Sequence, residues 1–248
     1  MTARAEVVVH RDAALLAKAA AARLITKLLD AQAARGSASV VLTGGGIGGA
    51  TLRAVRESPI IDVVDWSQVD VFWGDERFVD RGSDERNERA AYDALLDHLD
   101  LDPERVFPMG WAGGEDHHDP GAAAERYARI LASRALEGAL VPRFDVLLLG
   151  LGPEGHVASI FPESAAAVDE RTVVAVHECP KPPPTRISLT HTAINAADEV
   201  WVIAAGGEKA HAAKLALSGA APVDVPAAGA TGASKTLWLL DRAAASEL

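Results

Sequence analysis

A histidine close to a carboxylate is the strongest candidate for chemistry in this sequence. His156 closes the run Gly-Leu-Gly-Pro-Glu-Gly-His at 150–156, which follows the most apolar predicted strand, and Glu154 lies two residues before it. A carboxylate can orient an imidazole and stabilise its protonated form, and an imidazole of near-neutral pKa can take a proton from water. A lone histidine is usually structural or exposed, but this position among glycines favours a general base.

A second pair of candidates follows another predicted strand. Trp-Gly-Asp-Glu-Arg at 73–77 places Asp75 and Arg77 two residues apart. Ligands of open α/β sheets bind at the carboxyl ends of the strands, so an Asp there can hold a hydroxyl group and an Arg can hold an anion. The alternative is a surface cluster of ion pairs, the usual interpretation of charges this dense. The position at a strand end favours the ligand.

A glycine-rich run between a strand and a helix predicts contact with an anion. Thr-Gly-Gly-Gly-Ile-Gly-Gly covers 43–49. Glycines let backbone N–H groups approach an anion, and the helix N-terminus adds favourable partial charge. The run also fits the dinucleotide pattern G-x-G-x-x-G, but so many glycines fit many patterns, and no Lys-Ser/Thr pair follows as in a P-loop. A tight turn without a ligand is the alternative.

Two further basic residues occupy similar positions. Arg186 begins Arg-Ile-Ser-Leu-Thr at 186–190, and Lys209 ends Gly-Gly-Glu-Lys at 206–209. Lys209 is predicted in the first turn of a helix, where the macrodipole disfavours a cation, so a bound anion would explain it. A solvated lysine is the alternative.

No set of residues predicts a metal site. Glu-Asp-His-His-Asp at 115–119 has suitable residue types, but adjacent histidines on a loop rarely converge on one ion. The single cysteine, Cys179, has no partner and precedes Pro180, which argues against a nucleophile. On a polar helix, Arg86 and Asn87 could face a ligand. We expect neither a metal nor a cofactor.

These candidates follow alternating strands and helices, the pattern of a parallel α/β sheet. Predicted strands cover 6–10, 39–43, 69–73, 144–149, 172–176, 186–189, 200–204 and 236–240. One helix follows Asp12, an N-cap candidate, and others cover 85–99, 122–136 and 208–217. Residues 110–121, 179–185 and 218–234 are predicted to be irregular. We expect a single domain over 1–248, a three-layer, mostly parallel Rossmann-like sheet with helices on both faces.

Composition and charge limit the partners. Lys and Arg total 24 against 35 Asp and Glu, a net charge of −11, so nucleic acid and anionic membranes are repelled on average. No apolar run approaches the roughly 18 residues of a membrane span, and the N-terminus lacks the apolar core of a signal peptide. One cysteine excludes an internal disulfide and fits a reducing compartment. We expect a cytoplasmic monomer or weak homo-oligomer, without nucleic-acid or membrane partners.

Taken together, these stretches resemble the 6-phosphogluconolactonase family, which also holds glucosamine-6-phosphate deaminase. The most specific parts are Gly-Asp-Glu-Arg at 74–77 and Gly-Leu-Gly-x-x-Gly-His-x-Ala-Ser-x-Phe-Pro at 150–162. In the deaminases the first is more usually Asp-Glu-Tyr and the second ends in Phe-Asn-Glu-Pro, so both favour the lactonases. The chain departs from the family pattern with Gly-Ile-Gly at 46–48 for Ser-Thr-Pro, Glu154 for Asp and Val157 for Thr.

The resemblance implies hydrolysis of 6-phosphoglucono-δ-lactone to 6-phosphogluconate in the oxidative pentose phosphate pathway. It implies that His156, oriented by Glu154, takes a proton from the attacking water and returns it to the ring oxygen. Asp75 would hold sugar hydroxyls, and the phosphate would meet Thr43, Gly44, Gly45, Arg77, Arg186 and Lys209. Three alternatives stay open: a sugar-phosphate deaminase or isomerase, a non-catalytic sugar-phosphate-binding module, and a nicotinamide-dependent oxidoreductase.

Overall fold

Nine strands and six α-helices form the part of the chain that this computed structural model describes, residues 5–248. The strands are β1 (Glu6–His10), β2 (Ala38–Leu42), β3 (Val69–Trp73), β4 (Asp75–Arg77), β5 (Val146–Gly150), β6 (Val173–Val176), β7 (Arg186–Leu189), β8 (Glu199–Ala204) and β9 (Lys235–Asp241). The helices are α1 (Ala13–Arg35), α2 (Gly45–Arg56), α3 (Asn87–Ala94), α4 (Pro120–Arg134), α5 (His191–Ile194) and α6 (Ala210–Leu217).

Six of these strands form one parallel sheet in the order β1-β9-β8-β5-β2-β3. The central strand β5 is apolar and buried from Val146 to Leu149, as expected where helices cover both faces of a sheet. Helix α1 is preceded by its N-cap residue Asp12, whose side chain accepts a hydrogen bond from Leu15 N. The buried side chains of α1 lie on one stripe. The α/β fold class predicted from the sequence is confirmed.

The remaining strands form a small antiparallel sheet in the order β4-β7-β6. The predicted strands at 172–176 and 186–189 are therefore present as β6 and β7, but they lie outside the parallel sheet. A connection as short as 177–185 suits antiparallel pairing, whereas parallel strands need a crossover of a dozen or more residues. Only Gly74 separates β3 from β4, so the backbone passes directly from the large sheet into the small one.

Helix boundaries differ from the predicted ones around the candidate residues. The glycine run is not a loop before α2: the helix begins at Gly45, with Gly44 as its N-cap. The predicted helix over 85–99 is shorter, because Arg86 has an extended backbone (ψ 138°) and Leu95 departs from helical geometry. Residues Gly207–Lys209 form a 3₁₀ turn ahead of α6. No helix within 5–248 is long and apolar enough to cross a membrane.

Candidate active site

A cavity of about 590 Å³ opens at the carboxyl ends of the parallel strands. Its wall includes the residues that follow β2, β5 and β8, namely Thr43, Leu151 and Ala205. This is the edge at which open α/β sheets bind ligands, because loops from neighbouring strands meet there. Except for Glu154, the predicted site residues all line it: Thr43, Gly44, Gly45, Asp75, Arg77, His156, Arg186 and Lys209.

Glu154 does not itself line the cavity but contacts the imidazole of His156. Its Oε1 atom is 3.1 Å from His156 Nδ1. The oxygen is poorly aligned with the ring N–H direction, and Nδ1 is buried without a hydrogen-bond partner among the described residues. Glu154 therefore contacts Nδ1 without a well-aligned hydrogen bond, and the contact becomes an ion pair only when the ring is protonated. With Nδ1 turned to the carboxylate, Nε2 is the nitrogen left for a ligand.

The loop after β5 holds the imidazole against its own backbone. Gly152 N donates to the carbonyl of His156 at 2.9 Å, and Gly155 N donates to the carbonyl of Gly152 at 3.0 Å. Gly155 has a φ of 92°, in the left-handed region that glycine adopts readily. The ring of Phe161 covers the imidazole at a centroid distance of 4.6 Å. These contacts fix the imidazole on the cavity wall.

Lys181 is a cavity residue that the sequence reasoning missed. It comes from the proline-rich segment 179–185, where the sequence indicates only irregular structure. Its Nζ atom lies 3.0 Å from Oε1 and 3.1 Å from Oε2 of Glu154, and its side chain lines the cavity. Glu154 therefore contacts two nitrogen-bearing side chains, those of His156 and Lys181.

Charge and burial around the imidazole favour its neutral form. Burial lowers the pKa of His156; Glu154 and Asp75 act in the opposite direction, and the Lys181 ammonium adds to the lowering. Burial acts to raise the pKa of Glu154, but its own backbone N–H, the hydrogen bond from Lys181 and the charges of both neighbours hold it below its ordinary value. Near neutral pH the site thus presents a neutral imidazole beside a carboxylate, the protonation state that a general base requires.

Asp75 is fixed at the cavity wall by groups from three other segments. Its carboxylate accepts from Ser159 Oγ at 2.7 Å and from Asn87 Nδ2 at 3.2 Å, and Arg186 Nη1 lies 3.8 Å away. A Cβ on Gly44 would lie 1.9 Å from Asn87 Oδ1, so glycine is what lets this amide approach the start of α2. Asp75 has 6% of its surface exposed, which leaves it accessible only from the cavity.

The three predicted cations differ in how much of their hydrogen-bonding capacity is free. Arg186 donates Nε to Pro183 O at 3.2 Å and Nη2 to the carbonyls of Lys181 and Pro182, leaving Nη1 toward Asp75. Arg77 donates Nη1 to the carbonyl of Glu85, while its Nε is buried without a partner among the described residues.

The third cation, Lys209, has the most freedom to bind an anion. Within the described chain its nearest carboxylate oxygen, Glu208 Oε1, is 3.9 Å away, and burial lowers the pKa of Lys209. The same cavity is lined by Gly44, Gly45, Gly46 and Ile47 at the N-terminus of α2, where the first backbone N–H groups of a helix lack internal partners. The hydroxyl of Thr43, by contrast, accepts from Gly150 N at 3.2 Å and ties β2 to β5. The cavity thus offers Lys209 and a helix N-terminus to an anion.

Comparison with known proteins identifies the family to which this chain is related. Residues 11–238 match the pattern of the family described as glucosamine-6-phosphate isomerases/6-phosphogluconolactonase. The chain belongs to this family. It is 57% identical over 246 residues to the 6-phosphogluconolactonase of Streptomyces coelicolor, covering 98% of this chain and 94% of that one. It is 50% identical over 238 residues to that of Mycobacterium tuberculosis, covering 96% of each.

A solved structure supports the same relationship. The 6-phosphogluconolactonase of Trypanosoma brucei superposes with a TM-score of 0.82 at 28% identity and covers 100% of both chains. The family and the fold expected from the motifs at 74–77 and 150–162 are both confirmed.

In this family member a buried ionic network lies beneath Asp75 and Asn87. Arg86 is 0% exposed and donates to Glu88 and to the carbonyls of Met109 and Gly110. The expectation that Arg86 could face a ligand is wrong, because its guanidinium is bound to these interior acceptors and does not line the cavity. The neighbouring Glu76 accepts from three backbone N–H groups, those of Arg77, Asn87 and Glu88. The network fixes the backbone of β4 and of the start of α3, the segments that carry Asp75 and Asn87.

No metal centre emerges from the described residues. Within 5–248, no group of three or more His, Cys, Asp or Glu side chains is arranged to hold an ion. His117, in the acidic loop that resembles a ligand set, has a left-handed backbone with φ 53° and an exposed side chain.

Proposed function

We propose that this chain hydrolyses 6-phospho-D-glucono-1,5-lactone to 6-phospho-D-gluconate in the oxidative branch of the pentose phosphate pathway, with His156 as general base. The relatives named 6-phosphogluconolactonase support the overall reaction. The observation that carries the mechanism is the imidazole on the cavity wall, with its pKa lowered by burial and a carboxylate 3.1 Å from Nδ1. The single domain, the cytoplasmic location and the monomeric or weakly associated state stay predictions.

The proposed reaction needs one proton taken from water and one proton given to the ring oxygen. His156 Nε2 removes a proton from a water molecule as its oxygen bonds to the lactone carbonyl carbon. Collapse of the tetrahedral intermediate breaks the bond to the ring oxygen, which takes the proton back from the imidazolium. Glu154 stabilises that imidazolium, because an ionised carboxylate close to Nδ1 favours the charged ring.

Substrate binding is proposed to use the cavity's concentration of positive charge. In a chain of net charge −11, Arg77, Arg186, Lys181 and Lys209 line one cavity. Clustered cations raise the local concentration of an anionic ligand and orient it. Lys209 and the N-terminus of α2 have the groups best able to bind the phosphate, and Asp75 can accept hydrogen bonds from sugar hydroxyls.

The test is product formation from freshly prepared 6-phosphogluconolactone, with the spontaneous rate subtracted. His156→Ala should lower kcat by about 10²–10⁴-fold, the usual contribution of positioned acid–base catalysis. Glu154→Gln should cost less, because the base remains. The control is His117→Ala, on an exposed loop, which should leave kcat unchanged. A His156→Ala enzyme that keeps more than about a tenth of the wild-type kcat would exclude the general-base role.

The same preparation should be assayed with glucosamine 6-phosphate. Ammonia release from that substrate, without lactone hydrolysis, would assign the chain to the isomerase branch of the family. Tight binding of the phosphorylated sugar without turnover of either compound would indicate a non-catalytic binding protein.

A further inference from the structure

Lys181 and His156 share one carboxylate. Lys181 Nζ lies 3.0 Å from Glu154 Oε1 and 3.1 Å from Oε2, while the same Oε1 lies 3.1 Å from His156 Nδ1. Any charge that Lys181 neutralises on Glu154 is withdrawn from the imidazole. The lysine is thus placed to act on the proposed base through Glu154.

The backbone of the lysine is held by another residue of the cavity. Arg186 Nη2 donates to the carbonyl of Lys181 at 3.1 Å and to that of Pro182 at 3.3 Å, and Nε donates to that of Pro183 at 3.2 Å. Cys179 N donates to Pro184 O at 2.9 Å and closes the segment. Arg186 is only 5% exposed, so this anchor is internal. The position of the Lys181 ammonium is consequently restricted by the fold.

We propose that Lys181 is a positioning residue for the general base: it holds Glu154 in place and offsets its charge, so that His156 stays neutral at neutral pH. This inference rests on the proposed role of His156. A carboxylate acting alone beside an imidazole would stabilise the charged ring, which cannot accept a proton from water.

Several other groups around the ring also influence whether His156 is neutral or protonated. Glu154, on the same loop, and Asp75, from β4, both favour the imidazolium. Burial and the Lys181 ammonium oppose them. Asp75 is itself approached by Arg186 Nη1 at 3.8 Å, and the uncharged ring of Phe161 packs against the imidazole at a centroid distance of 4.6 Å. The charges of Lys181 and Glu154 also act on the pKa of Lys209, in opposite directions, so Lys209 belongs to the same set of charges.

The direct test is the pKa of the His156 ring, measured by NMR titration in the ligand-free protein. The His156→Ala spectrum identifies the His156 signal. Lys181→Met should raise that pKa by about half a unit to one unit, the size of a short-range charge interaction in a partly solvated site. Lys181→Gln should do the same, and Lys181→Arg should leave the pKa close to its wild-type value.

A matched control removes a similar ion pair elsewhere. The Lys235 side chain is 41% exposed and its Nζ lies 2.8 Å from Glu6, against 42% and 3.0 Å for Lys181 and Glu154. Lys235→Met should leave the His156 pKa unchanged. An unchanged His156 pKa in both Lys181→Met and Lys181→Gln would overturn the proposal.

Kinetics give a second readout and separate this inference from the proposed function. The acid limb of the pH profile of kcat/KM should move upward in Lys181→Met by the same amount as the NMR pKa. If the wild type hydrolyses no lactone, the proposed function fails, but the NMR titration still decides the effect of Lys181 on the imidazole. A KM increase confined to the phosphorylated lactone, with an unshifted His156 pKa, would show that Lys181 binds the phosphate and would overturn the proposal.

Discussion

One added methyl group at Gly152 should displace the imidazole of His156 while leaving the fold intact. A Cβ built on Gly152 would lie 1.8 Å from His156 Nδ1, 2.2 Å from Cε1 and 2.8 Å from Glu154 Oε2. Because non-bonded atoms prefer separations of about 3.5 Å, the ring would have to move by roughly 1.5 Å. The backbone of Gly152 lies outside the left-handed region, so alanine can adopt its conformation.

A displacement of this size should affect the chemical step more than binding. A misplacement of about 1 Å can cost about 10²-fold in rate, and we expect kcat of Gly152→Ala to fall by at least about that factor. KM should change little, because the cationic groups lie on other segments of the wall. The assay is proton release from fresh 6-phosphogluconolactone at constant pH, corrected for spontaneous hydrolysis, with thermal unfolding to confirm the fold.

Two further variants test whether the loss passes through the imidazole. Gly207→Ala adds a methyl group with no atom within 4 Å and no left-handed backbone, so it should keep the wild-type kcat. Adding Gly152→Ala to His156→Ala should cost little more, because both changes act on one group. Wild-type kcat in Gly152→Ala, or its full loss repeated in the His156→Ala background, would refute the reasoning.

The remaining predictions concern binding, stability, pH and metal. Lys209→Ala should weaken kcat/KM on the phosphorylated lactone by about 1.5–3 kcal/mol, the value of a hydrogen bond to a charged group, and spare plain gluconolactone; equal losses on both would show that Lys209 does not bind the phosphate. Tyr127→Phe should lower the free energy of unfolding in urea by about 1–3 kcal/mol, because Trp73 N would lose the buried hydroxyl acceptor it has at 3.1 Å; wild-type stability would contradict this. Burial lowers the pKa of His156, so as the pH is lowered through an unfolded-state pKa of about 6.5 the unfolded chain binds more protons than the folded one, and the free energy of unfolding decreases. Replacing His156 by Ala should make the free energy of unfolding depend less on pH in this range. An unaltered slope would show that His156 does not cause the dependence. Dialysis against EDTA should leave activity intact; loss restored by Zn²⁺ or Mg²⁺ would reveal a metal requirement.

The cavity residues that the sequence predicts share a local signal. His156 and Asp75 each lie in the segment that follows an apolar strand, and in a parallel sheet strand ends converge at one edge. The pattern of strands is therefore sufficient to predict that these two side chains lie close together.

Two residues have positions that no local pattern determines. Arg86 looks like part of a polar helix, yet it is buried because the carbonyls of Met109 and Gly110, distant in sequence, accept its hydrogen bonds. Lys181 belongs to a segment whose only signal is proline, and its place at the cavity depends on how Arg186 binds that segment. The small sheet was missed for the same reason, since the pairing of β4 with β7 joins residues far apart in the chain.

The strand order has a consequence for how the molecule acquires its shape. β1 pairs with β9, at the opposite end of the described chain, and the central pair β5 and β8 is separated in sequence by β6 and β7, two strands of the small sheet. Chains with many such long-range contacts fold slowly, because distant segments must meet before their pairing brings any stabilisation. The cavity wall draws on segments from Ala13 to Lys209, so it is complete only when these late encounters have occurred. Recovery of catalysis after dilution from denaturant therefore reports the last stage of folding, whereas helical circular dichroism reports earlier ones.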